Sequence, residues 1–128
     1  MSSSTSDRRP RSRCPIARSL EIIGDRWTRV VVRDLMFGNM RRYKELLDSP
    51  EGITTNILAD RLRRLEGDGL VVRTAYQEHP PRFDYELSDA GKELFVVLRA
   101  LIRWGGDHVP GSVVLADEQL DAMDPRSR

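Results

Sequence analysis

The sequence predicts a mainly α-helical fold with a small antiparallel β-ribbon (α+β), assembled as a dimer. Three observations carry that prediction. Four apolar segments with helical spacing run from Cys14 to Gly67, each ended by glycine or proline. Two strand-like stretches, LVVRTAY and FDYELS, flank the hexapeptide QEHPPR. A final helical segment carries more apolar residues than one face of a compact domain can hide.

The elements follow in order. Pro15 suits a first helical turn because it has no N–H to satisfy. Ile16, Leu20 and Ile23 then recur at helical spacing until Gly24. DRWTRVVVRDLMFGN is a second helix, with Val30, Val31, Leu35 and Phe37 on a broad apolar side and a Gly38-Asn39 stop. MRRYKELLDSPEG is a short third helix that points Tyr43, Leu46 and Leu47 inward. A fourth begins at Thr54 or Thr55, either of which can cap it through its hydroxyl. Leu58, Leu62 and Leu65 form its inward stripe, and Gly67 and Gly69 supply freedom for the C-cap. Phe83, Tyr85 and Leu87 alternate with Asp84 and Glu86 in the second strand, while two prolines stiffen a protruding tip between the strands. Ser88 caps one long last helix, residues 89–108. The ordered domain is 14–108. A basic tail, 1–13, is expected to be disordered, and an acidic tail, 109–128, to be flexible.

Composition excludes several classes. At 128 residues one domain is the default, long enough to bury a core. The formal net charge of +1 names no partner. Of 21 basic residues only Lys44 and Lys92 are lysine, and arginine's planar fork suits phosphates and guanine edges. A single cysteine, Cys14, excludes an intramolecular disulfide framework and fits a reducing cytoplasm. No stretch approaches the roughly 18 apolar residues of a membrane span, and no signal-peptide pattern opens the chain. His79, His108 and Cys14 are isolated, so no metal or cofactor is expected. No nucleophile–base pair or phosphate-binding glycine loop can be assembled, so no enzymatic activity is expected.

Three helices, a capped fourth helix and a two-stranded ribbon make the order of a winged helix-turn-helix, whose partner is double-stranded DNA. A helix that reads DNA is apolar where it meets its scaffold. Its outer face is small near the N-terminus, so that the backbone can enter the major groove, and longer and polar beyond it. Opposite the leucine stripe the fourth helix carries Asn56, Asp60 and Arg63, flanked by Ala59 and Arg64, with Thr54 and Thr55 at its start. Asn56 suits a bidentate contact with adenine, Arg63 reaches guanine or a phosphate, and Asp60 can accept from cytosine N4. Arg82 and His79 at the ribbon tip are placed for the adjacent minor groove or backbone.

The blocks CPIARSLEIIGDRWT, RDLMFGNMRRYKELLDS, GITTNILADRLRRLEGDGLVVR, PPRFDYELSDAG and LFVVLRALIRWG together resemble the HxlR-type winged helix regulators of bacteria. The resemblance covers about residues 14–108, with five blocks in the family's order and spacing. It implies a cytoplasmic, homodimeric transcription regulator that dimerises through its first and last helices, with the reading helix at 54–67 and the wing at 76–84. Asp60 departs from the neutral or basic residue common among relatives. A cysteine at the position of Cys14 occurs in the family, and some members sense electrophiles or oxidants through it.

Blander readings stand beside these. Arg61, Arg63 and Arg64 can form a solvated helix face paired with Asp60, Glu66 and Asp68. Arg41 and Arg42 suit phosphate clamps or plain surface. Trp27 and Trp104 are packing residues. Cys14 is either a small packed residue at a helix start or a thiol activated by that start. Dimer contacts are expected from Ile16, Leu20, Ile23, Leu94, Leu98, Leu101, Ile102 and Trp104. The operator and any small-molecule or electrophile effector stay unidentified. The alternative to DNA binding is a winged helix that meets an acidic protein partner.

Overall fold

The computed structural model describes residues 12–127, so all of the expected basic tail except its last two residues lies outside the described residues. Its elements are α1 (Pro15–Ile23), α2 (Arg26–Phe37), α3 (Tyr43–Leu47), α4 (Thr55–Gly67), β1 (Val71–Glu78), β2 (Pro81–Leu87), α5 (Asp89–Lys92), α6 (Phe95–His108) and α7 (Asp117–Ala122), then a 3₁₀ turn at Pro125–Ser127. This is a winged helix-turn-helix. Its core is built from α2 (Val31, Val32, Met36), α4 (Leu58, Leu62, Leu65), the ribbon ends (Val71, Leu87) and α6 (Phe95, Leu98). The rings of Phe37 and Phe95 meet edge to face at 6.1 Å.

β1 and β2 pair antiparallel from Val71–Leu87 to Glu78–Pro81, with a bulge that leaves Tyr76 without an opposite residue. The ribbon is therefore longer than the sequence predicts, and only His79-Pro80 turns it. Pro81 sits at the first position of β2, where a missing N–H costs no interior ladder bond. Arg42 bridges to Asp84, and Tyr85 N–H donates to the Arg41 carbonyl at 2.7 Å, so the segment before α3 joins the wing's root.

The last helix is two helices. Ser88 Oγ accepts from Gly91 N–H at 3.1 Å and donates to the Gly69 carbonyl at 2.6 Å, clamping α5 to the turn after α4. A Cβ at Gly91 would stand 2.2 Å from the Leu70 carbonyl oxygen, so only glycine allows this approach. Gly69 itself has φ +78°. Residues 93–94 then turn with short-range bonds, Leu94 N–H to the Gly91 carbonyl among them, and α6 sets off in the direction that buries Phe95 and Leu98.

The acidic segment expected to be flexible also folds. Leu120 of α7 and Pro125 are buried, and Met123 packs against the core. Arg99 pairs with Asp121, Arg103 with Asp117, and Arg126 with Glu93 at 2.9 Å and Asp124 at 2.8 Å. The acidic residues Asp117 and Asp121 find their counterions on α6, while the segment's own Arg126 pairs with Glu93 at the end of α5.

Candidate nucleic-acid interface

α4 is fixed at both ends and along its length. Thr54 Oγ1 accepts from Ile57 N–H at 3.4 Å, and Tyr43 Oη donates to the Thr55 carbonyl at 2.7 Å, seating the N-terminus of α4 on α3. Leu58, Leu62 and Leu65 are buried, which turns Thr54, Thr55, Asn56 and Arg63 outward, with Ala59, Asp60 and Arg64 half-buried beside them. The predicted outer face is thus one surface.

Arg61 docks this helix to α2. Its Nε donates to Asp25 Oδ2 at 2.8 Å and its Nη1 to Asp60 Oδ2 at 2.6 Å. Asp25 caps α2, accepting from Thr28 N–H at 3.1 Å and from the Thr28 hydroxyl at 2.5 Å. Partial burial works to raise the Asp25 pKa, but Thr28 and Arg61 outweigh it and hold the carboxyl at about 2. The sequence reading passed over Asp25 and offered a solvated helix face as one reading of Arg61. The aspartate at the start of a helix in GDRWT was the available signal.

At the wing, Arg82 and His79 are exposed at the tip, as is Arg41 at its root. Arg42 is committed elsewhere: its Nε donates to Asp84 Oδ1 at 3.0 Å and its guanidinium lies 3.9 Å from the Tyr76 ring centroid. It holds the wing to the domain and is not poised as an uncommitted phosphate clamp.

The residues expected at a dimer interface divide. Ile23 and Leu98 are buried and Leu94 packs on the core, so these three serve the chain's own interior. Ile16, Leu20, Leu101 and Trp104 are 72%, 55%, 50% and 60% exposed. Ile102 is half-buried and, with Leu101, lines a groove of about 630 Å³ between α2 and α6. Trp27 packs on the core, with the Arg26 guanidinium 4.7 Å from its ring centroid.

Cys14 is exposed at the N-cap of α1. The backbone N–H groups of Ala17 and Ile16 lower its thiol pKa, as a helix start does for an anion. The helix start is the cause of the shift.

Comparison with known proteins extends the geometry. The sequence profile described as HxlR-like helix-turn-helix matches residues 22–112. An uncharacterized HTH-type transcriptional regulator of Mycobacterium tuberculosis is 38% identical over 95 residues, which are 74% of this chain and 59% of that protein. The chain therefore spans about three fifths of the length of that mycobacterial relative. The solved reduced form of the transcriptional regulator YodB from Bacillus subtilis is 28% identical, with a TM-score of 0.64, and the match covers 77% of this chain and 97% of that one. The redox regulator HypR in its oxidized form is 30% identical, with a TM-score of 0.63 over 74% of this chain and 97% of its own.

Proposed function

The chain belongs to the HxlR-like helix-turn-helix family, and from that premise we propose that it is a homodimeric, sequence-specific DNA-binding transcriptional regulator of the cytoplasm. The observation that carries the reading is the outer face of α4. Thr54, Thr55 and Asn56 leave the helix start slim, and Arg63 projects with 70% of its side chain exposed, beside a wing that ends in His79 and Arg82. Such a helix enters the major groove by its N-terminal half while the wing follows the neighbouring backbone.

Two copies would join through Ile16 and Leu20 of α1 and Leu101 and Trp104 of α6, the apolar surface that one chain leaves uncovered. Joined by a two-fold axis, two reading helices call for a near-palindromic operator with half-sites about 34 Å apart. Binding to duplex DNA that weakens steeply with salt, with one sequence held more tightly than the rest, tests the reading. Salt-insensitive binding without preference would leave a protein-interaction module instead.

Cys14 is the proposed switch. A thiolate at the root of α1 is placed to react with an oxidant or electrophile, and an adduct there enlarges a side chain beside the proposed dimer contact. HypR, a structural neighbour, is a redox regulator, which favours this reading. Operator binding by wild type and Cys14→Ser before and after oxidant treatment tests it: only the wild type should respond.

A further inference from the structure

One carboxylate on the outer face of α4 is surrounded by arginines. Asp60 Oδ2 lies 2.6 Å from Arg61 Nη1 and 3.6 Å from Arg64 Nη1, and its Oδ1 lies 3.3 Å from Arg63 Nη2. The three guanidinium groups are not equivalent. Arg61 is held a second time by Asp25, 2.8 Å away, and is mostly buried, so Asp60 is tied through it to the cap of α2. Among the described residues, Arg63 has no salt-bridge partner besides Asp60, at the longest hydrogen-bonding distance of the set. Asp60 thus has one side anchored to the scaffold and the other side on the arginine that projects furthest.

We propose that Asp60 is a positioning residue that holds Arg63 and Arg64 on the reading face and sets the protein's discrimination between its operator and other DNA. The inference rests on the DNA-reading role proposed above. It replaces the expectation that Asp60 itself accepts from cytosine. To do so, Asp60 would have to turn its oxygens outward, away from Arg61, and expose a carboxylate to phosphates. Left where it is, Asp60 neutralises part of the positive charge of the face, so any duplex is attracted less. A phosphate that draws Arg63 away must compete with the Asp60 contact. A guanine edge that offers Arg63 two acceptors in one plane competes far better. The cost falls on all sequences and the compensation comes only at the right one, which is how specificity is gained by disfavouring the alternatives.

Asp60→Asn keeps the shape and can still accept from Arg61, but removes the charge. The experiment is equilibrium binding of wild type and Asp60→Asn, over a salt series, to an unrelated duplex, to the best genomic site and to single base-pair variants of that site. We expect Asp60→Asn to bind the unrelated duplex about five- to tenfold more tightly with a steeper salt dependence. The site should gain less, so the ratio falls while the pattern of base preference stays the same. In an Arg63→Ala background the gain should shrink, because the two side chains act together. Asp60→Glu should restore part of the discrimination. Thermal unfolding of each variant separates these effects from loss of fold. A changed preference at one C·G pair with unaltered binding to unrelated DNA would overturn the proposal in favour of direct reading, and identical behaviour of the two proteins would also overturn it. A wild type with no preferred site would overturn the operator reading and the proposed discrimination with it, whereas a preferred site held over unrelated DNA by the same ratio in wild type and Asp60→Asn would overturn the proposal alone. A wild type that binds no duplex would remove both.

Discussion

Arg63 and Arg82 carry the same charge in different places, and the account assigns them different work. Arg63 lies on the helix proposed to enter the major groove. Arg63→Ala should cost about 1–3 kcal/mol at the operator and relax specificity at one position per half-site. Arg82 lies at the wing tip over the proposed path of the backbone. Arg82→Ala should weaken all sequences alike and flatten the salt dependence. Titrations of both variants against matched and mismatched duplexes separate the roles, and wild-type behaviour from both would mean the interface lies elsewhere. Carboxyl groups set the acid limit of the fold. Hydrogen bonds from Arg33 bring Glu51 from 4.5 to about 2, and Asp25 falls from 3.8 to about 2 within its cap. A carboxyl depressed in the folded state adds stability above its unfolded value and loses it as pH falls through the folded one. Thermal stability should therefore hold down to about pH 4.5 and decline towards pH 2. Glu51→Gln should soften the upper part of that decline.

Elements differ in how far the sequence specified them. α1, α2 and α4 were legible because each joins a periodic apolar stripe to a local stop or cap: Pro15 and Gly24 for α1, Gly38 for α2, Thr54 and Gly69 for α4. The outer face of α4 was legible for the same reason, since a stripe fixes what lies opposite it. The break between α5 and α6 was not, because it depends on Gly91 meeting the Leu70 carbonyl, a contact between residues far apart in the chain. α7 was hidden too. Its acidic residues read as solvated until the arginines of α6 are seen facing them, and Leu120 is one apolar residue in a polar stretch. The pairing of Asp60 with Arg61, Arg63 and Arg64 was legible as the blander reading of that face, whereas its tie through Arg61 to Asp25 was not. α7 works as a strap over α6, the helix proposed to dimerise. Leu120 is fully buried, so Leu120→Ala should cost about 2–5 kcal/mol in unfolding free energy, measured by urea titration. A loss within the range of a surface change would show the strap to be loosely held.

At the scale of the whole molecule, the proposed reading helix and wing share one domain with large apolar side chains left exposed on α1 and α6, the proposed dimer surface. Ile16, Leu20, Leu101 and Trp104 make that surface, and sedimentation at micromolar concentration should give twice the chain mass of 14.7 kDa. The proposed dimer would fix the separation of the two α4 helices and turn a short contact into a long recognition site. Selection of bound sequences from genomic DNA fragments tests this most directly, because it asks for DNA binding, sequence preference and two-fold geometry together. The expected result is enrichment of a near-palindromic site whose halves lie about one helical turn, roughly 34 Å, apart. Recovery of fragments without any shared sequence, or of a single half-site with no symmetric mate, would contradict it.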